Sequence, residues 1–132
     1  MSLPKIRVVA AVVSREGRYL ITQRRPHAVL PLLWEFPGGK VEPGETDAAA
    51  LARELRERLG VEIRVGKEVR RVVHPYASYL VELHVYECAL LSEELRPLKV
   101  HDFRWVLPAE LDEYRFPSAD QQTVDQLLGI GD

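Results

Sequence analysis

A single cysteine, Cys88, excludes an internal disulfide and any cysteine-based metal motif. It lies in the apolar run Leu83 to Leu91, where a thiol is expected to pack as a small core side chain. A cationic surplus is missing too: 18 Lys and Arg stand against 20 Asp and Glu, for a net charge of −2. Such a chain has no general attraction for nucleic acid or an anionic membrane, so local groups must grip any polyanionic ligand. No apolar run approaches the length of a bilayer-spanning helix, and the N-terminus carries no signal-peptide pattern. The expected compartment is therefore the cytoplasm, with no membrane or nucleic-acid partner. His27, His74, His84 and His101 lack zinc-ligand spacing. No basic stripe accompanies Trp34 and Trp105, which are expected in the core or in pocket walls. Repeats, low-complexity runs and inter-domain linkers are absent from the sequence.

What remains is an ordinary soluble composition, 46% hydrophobic and 29% charged over 132 residues, which fits one domain around one core. The β-branched run Ile6 to Val13 and the segment Tyr19 to Thr22, joined at Glu16-Gly17, predict a hairpin. Arg25 to Pro37 holds three prolines and two large aromatics and reads as an irregular loop. A helix is expected from Asp47, capped by Thr46 and ended by Gly60, with Ala48, Leu51, Ala52, Leu55 and Leu59 as its apolar face. Val61 to Val73 and Tyr79 to Leu90 read as strands joined through His74-Pro75. Phe103 to Leu107 reads as a short strand, and Pro108 to Tyr114 as a loop or one helical turn. Ser118 and Gln121 predict a capping box on a last helix that reaches Leu128 and stops at Gly129. These elements suit an α/β architecture, a mixed sheet with helices on its faces.

The densest chemistry lies in Gly39 to Val61, GKVEPGETDAAALARELRERLGV. Glu45 sits in a turn, and Glu54 and Glu57 share a face of the helix that follows, so the three carboxylates can converge. Clustered carboxylates hold hard cations such as Mg²⁺, which take oxygen ligands and share them with substrate phosphates. Gly38-Gly39 permits close backbone approach and offers a carbonyl as a further ligand. The helix N-terminus and Lys40 suit a phosphate oxygen. Arg53 is placed to pair with a neighbouring carboxylate and fix its orientation. A solvated helix face would also carry pairs such as Glu54–Arg58; the upstream EFPGGK and EPGET segments at fixed spacing favour a site.

This block resembles the Nudix box, G-x5-E-x7-R-E-U-x-E-E-x-G-U with U aliphatic. Eight of its nine fixed positions match: Gly39, Glu45, Arg53, Glu54, Leu55, Glu57, Gly60 and Val61. The segment WEFPGGKVEPGE, Trp34 to Glu45, is similar to the MutT-type branch, and the likeness covers most of the chain. The resemblance implies the Nudix fold, an α/β/α sandwich with a mixed β-sheet; monomer and homodimer both stay open. It implies hydrolysis of a nucleoside triphosphate, such as an oxidised one, to monophosphate and pyrophosphate with Mg²⁺ or Mn²⁺. CTP-like or nucleoside diphosphate-linked substrates are the alternative within enzymes. Metal ligation is expected from Gly38, Glu45, Glu54 and Glu57, and catalytic roles from Glu54, Glu57 and Arg53. Arg24 and Lys40 are expected to hold phosphate, Glu35 and Phe36 to lie near the nucleoside, and Asp120 of FPSAD to read the base.

Three positions depart from the pattern. Arg58 replaces the last box glutamate, a principal metal ligand of the family. Two consequences stay open: a guanidinium that contacts substrate phosphate, or a weakened, nucleotide-binding domain. The branch also supplies a carboxylate just before the last strand, where this chain reads LKVHDFRWV with His101 and Asp102 as nearest candidates. Glu54, Glu57, His101 and Asp102 are thus all candidates for the general base. Tyr79 stands where a nucleotide-contacting arginine is expected.

Overall fold

The computed structural model describes residues 3–128; the expected helix stop at Gly129 lies outside the described residues. β1 (Lys5–Arg15) and β2 (Arg18–Gln23) form the expected hairpin, with Glu16 and Gly17 at φ +52° and +77° in its turn. Positive φ at both central residues is what a right-twisted hairpin favours. Two strands then appear where the sequence suggested none. β3 (Trp34–Glu35) pairs with β2, inside the stretch read as an irregular loop, and β4 (Gly38–Lys40) pairs with β1. Segments of two and three residues carry no periodicity, so the neighbouring strands rather than local pattern define them.

After β4 come α1 (Asp47–Leu59), β5 (Ile63–Pro75), β6 (Leu80–Leu90) and β7 (Asp102–Val106). A 3-10 helix (Pro108–Glu113) and α2 (Ser118–Leu128) follow. The sheet runs β3-β2-β1-β6-β5, with β4 also on β1 and β7 also on β2. It is mixed: β1 and β6 are parallel and the remaining pairs antiparallel. β5 continues through His74 and Pro75, which pair with Val81 and Leu80, so the chain reverses later than expected. The turn is Tyr76 to Tyr79, closed by the Tyr76 N–H on the Tyr79 carbonyl at 2.8 Å. A proline is tolerated there because it ends the strand.

Both faces of β1 are buried, as a continuous β-branched run implies. Val9, Ala11 and Val13 pack on Ala50, Leu51, Leu55 and Leu59 of α1. Ala10 and Val12 face the opposite layer with Val72, Val85 and, from α2, Ala119 and Val124. The result is the α/β/α sandwich with a mixed sheet.

α1 is capped as expected: the Thr46 hydroxyl accepts from the Ala49 N–H at 3.1 Å, and Gly60 ends the helix in the left-handed region at φ +68°. Its buried stripe differs from expectation. Ala48 is exposed and Ala50 is buried, so the stripe runs through Ala50, Leu51, Glu54, Leu55 and Leu59. This rotation carries Glu54 inward, to 8% exposure.

α2 also starts differently. Ser118 is its first residue, and the free N–H of Ala119 donates to the Tyr76 hydroxyl at 3.1 Å. Gln121 reaches forward to Asp125 instead of back to Ser118, so tertiary contact replaces the expected capping box.

The start of α1 is tied to the sheet by a polar strut. Arg7 pairs with both Asp47 oxygens at 2.8 Å and with Glu82 at 2.8 Å. His84, 2% exposed, sets Nδ1 against Glu68 at 2.5 Å and Nε2 against Glu82 at 2.8 Å. Each ring nitrogen thus faces one carboxylate. The Tyr86 hydroxyl completes the set by donating to Asp47.

Candidate active site

β4 and α1 approach closely because Gly39 has no side chain: a Cβ there would overlap the Glu54 carboxylate. Gly38 lies as tightly against the β1 backbone around Val9 and Ala10. Ala11 N–H donates to the Pro37 carbonyl and Val41 N–H to the Arg7 carbonyl. Antiparallel alternation then turns the carbonyls of Gly38 and Lys40 away from β1. The Lys40 carbonyl accepts from Arg53 Nη2 at 3.0 Å.

Arg53 is the hub of the box. Its Nε and Nη2 grip the two Glu45 oxygens at 2.7 and 2.9 Å, and Nη1 donates to Glu54 Oε1 at 2.9 Å and Glu57 Oε2 at 3.4 Å. The Arg53 guanidinium, with the Glu42 N–H on Oε1, holds the Glu45 carboxyl down to about 2. Glu45 thus positions Arg53, and Arg53 orients Glu54 and Glu57.

Arg58 lies on the other side of Glu54. Its Nε donates to Glu54 Oε2 at 2.5 Å and its Nη1 stands 3.9 Å from Glu35 Oε2. Glu54 therefore sits between two guanidinium groups. Beside them opens a cleft of about 310 Å³ lined by Arg24, Arg25, Ala28, Glu54, Glu57, Arg58, Lys99 and Val100.

Arg24 leads away from this cleft to a second polar group. It pairs with Glu35 at 3.0 Å and donates to the Val29 carbonyl at 2.6 Å. Burial raises the Glu35 carboxyl, with Arg24 and Arg58 opposing the rise. Asp120, 8% exposed, is pushed well above the usual carboxylate range by burial and then by repulsion from Glu35. Tyr76 borders this group; its phenol is raised by burial, and its ring stacks on Tyr79 with centroids 5.3 Å apart.

The expected site residues thus divide. Arg24, Glu54 and Glu57 line the cleft, with Arg53 and Glu45 behind them and Gly38 buried in β4 against β1. Glu35 and Asp120 form the second polar group. Phe36 is inside the core, 2% exposed against Phe116. The Lys40 side chain is exposed and outside the cleft lining. His101 also lies outside that lining, and Asp102 turns to its own backbone at the Phe103 N–H. Arg25 and Tyr76 enter the site without a sequence signal, since long-range packing brings them there. Lys99 had an indirect one: it lies in the stretch searched for a carboxylate.

The Asp47, Glu68 and His84 donors lie within 4.8 Å of one another, outside the cleft. Arg7, Arg71 and Tyr86 already occupy them, so the group holds α1 rather than offering open ligands.

A glycine-backed helix that presents carboxylates beside clustered arginines, within an α/β/α sandwich, is the arrangement of a hydrolase acting on phosphoric anhydrides. A family model described as NUDIX domain matches residues 8–126, and the chain belongs to the Nudix hydrolase family. It is 34% identical over 125 residues to a CTP pyrophosphohydrolase of Escherichia coli strain K12, covering 95% of this chain and 93% of that protein. An 8-oxo-dGTP diphosphatase of Haemophilus influenzae is 31% identical over 124 residues, covering 93% and 91%. The solution structure of DNA mismatch repair protein MutT from Staphylococcus aureus is 36% identical with a TM-score of 0.77, covering 99% of this chain and 100% of that one. Within that family its likeness lies with the MutT-like hydrolases.

Proposed function

We propose that this protein, acting as a single domain in the cytoplasm, hydrolyses a nucleoside triphosphate to monophosphate and pyrophosphate with Mg²⁺ or Mn²⁺, a reaction that clears oxidised nucleotides from the pool. The observation that carries this reading is Glu54 and Glu57 at the wall of a cleft whose other charged lining is Arg24, Arg25, Arg58 and Lys99. The acids there would hold the metal ion, and the cations would hold the phosphates.

The donor set fits a hard divalent ion. Glu57 is 41% exposed and stands 3.4 Å from Arg53, and the Gly38 carbonyl, on the side of β4 away from β1, would add a neutral oxygen. With Glu54 these supply the oxygen ligands such an ion takes. Bound there, the ion would polarise a phosphoryl oxygen and acidify a water. Arg53 keeps Glu54 and Glu57 aimed, and Glu45 keeps Arg53 in place. Both Glu54 oxygens are already engaged by guanidinium N–H donors, from Arg53 and from Arg58. Glu57 is therefore assigned to take the proton of the attacking water. Glu57→Gln is expected to lower the rate by about 10²–10⁴-fold with the fold retained.

Asp120 and Glu35, next to Tyr76, are the base-reading group. Burial favours the protonated form of Asp120, and a protonated carboxyl both donates and accepts, which suits the amide edge of an oxidised guanine. The same pattern suits the N3 and amino group of cytosine, and the 34% identity to a CTP pyrophosphohydrolase favours CTP as the second reading. Pyrophosphate release from ordinary and oxidised nucleoside triphosphates, with Mg²⁺ and with Mn²⁺, tests both. Turnover led by an oxidised purine supports the first, turnover led by CTP the second, and metal-dependent silence across the panel overturns both.

A further inference from the structure

Resting on the triphosphate reading, we propose that Arg58 and Lys99 form a built-in cationic seat that binds the polyphosphate chain in the absence of any metal ion. Where the box pattern carries a glutamate, this chain carries Arg58; where a carboxylate is sought before the last strand, the cleft receives Lys99. Two expected anions are thus replaced by two cations that line one cavity.

The two are held together by backbone. The N–H groups of Leu98 and Lys99 donate to the Arg58 carbonyl at 3.0 and 3.1 Å, and that of Arg96 to the Leu59 carbonyl at 2.9 Å. These bonds satisfy carbonyls that the end of α1 leaves open, so the loop before β7 is docked on the helix beside Arg58. Arg25 is fixed nearby by its bond to the Leu98 carbonyl at 2.9 Å. Among the described residues, neither Arg25 nor Lys99 pairs with a carboxylate. A cation that merely served the helix dipole would project into water. Arg58 instead keeps its side chain 29% exposed and reaches Glu54 and Glu35 across the cleft wall.

The charge balance favours an anion. Four cations line the cleft against two carboxylates, although the whole chain is net negative. The fork of Arg58 has five N–H donors, of which one is given to Glu54, so others remain for phosphate oxygens. Arg25 and Lys99 add two further charges from separate elements, a spacing that suits a chain of phosphates better than one orthophosphate.

The test is calorimetric titration of the full chain with inorganic tripolyphosphate in excess EDTA, beside titration with Mn²⁺ alone. One-to-one binding in EDTA is expected, and Arg58→Glu is expected to weaken it by about tenfold or more. That variant should also bind Mn²⁺ more tightly, since a ligand replaces a cation. Lys99→Gln, at an exposed side chain, should weaken tripolyphosphate by about threefold and leave the fold intact. Binding that requires a metal ion, or metal-free binding that both variants retain in full, overturns the seat. Such a result beside metal-dependent pyrophosphate release would leave the hydrolase reading standing; metal-free binding without turnover of any triphosphate would do the reverse.

Discussion

Asp120 is a carboxyl enclosed by protein with another carboxyl, Glu35, as its neighbour. Burial and repulsion both disfavour its charge, and Arg24 opposes them less strongly. Its folded-state value lies above the unfolded one, so ionising it costs stability, and that cost grows as pH rises through its titration. Asp120→Asn removes the ionisable proton and keeps the shape. The variant should melt higher at neutral pH, by about 3–6 °C if the gain is near 1 kcal/mol, and the difference should vanish in acid. Thermal melts of both proteins across pH check this, and the triphosphate panel should show a changed base ranking in the same variant. The sequence pointed to Asp120 through the FPSAD segment, while its enclosure depends on Glu35 and Tyr76, far away in the chain.

The pairing of β4 with α1 shows how a short element sets the chemistry of a long one. α1 was legible because its cap, its stop and its repeat are all local: Thr46, Gly60 and the leucines lie within one stretch. β4 was not legible, since three residues define no pattern and β1 creates the pairing. Their junction depends on the bare Cα of Gly39 beside Glu54. Gly39→Ala is therefore expected to displace the Glu54 carboxylate and lower pyrophosphate release by about 100-fold. Circular dichroism should remain that of the native fold. A variant with unchanged rate would show that Glu54 does not need this seat. The phase of α1 taught a related lesson. The sequence placed Ala48 in the apolar stripe, but the position of β4 turns the helix so that Ala50 and Glu54 are covered instead.

Across the molecule, the α/β/α layering followed from apolar runs, while the parallel β1–β6 pair and the strand order required the folded chain. The polar strut from β5 to α1 was equally hidden, because Arg7, Asp47, Glu68, Glu82 and His84 are scattered through the sequence. Its carboxylates link stability to pH. Arg7 holds Asp47 down to about 2, and His84 lowers Glu82. Burial raises Glu68, yet bonds from His84 and Arg71 bring it below the ordinary value. All three folded values lie below the unfolded ones, so their contribution is complete above the unfolded values and lost as pH falls through the folded ones. The strut's share of the unfolding free energy should stay level down to about pH 4.5 and decline toward about pH 2. Arg7→Met removes the guanidinium from Asp47 and Glu82. It should cost about 1–3 kcal/mol at neutral pH and make the acid decline shallower, as denaturant titrations at stepped pH would show.

The hydrolytic reading itself is tested most directly by mass spectrometry of the products formed from a nucleoside triphosphate in ¹⁸O-labelled water with Mg²⁺. The expected products are nucleoside monophosphate and pyrophosphate, with one labelled oxygen between them, and Glu57→Gln should abolish nearly all of the signal. Release of orthophosphate with nucleoside diphosphate, or intact triphosphate after exposure to folded, nucleotide-bound protein, would contradict it.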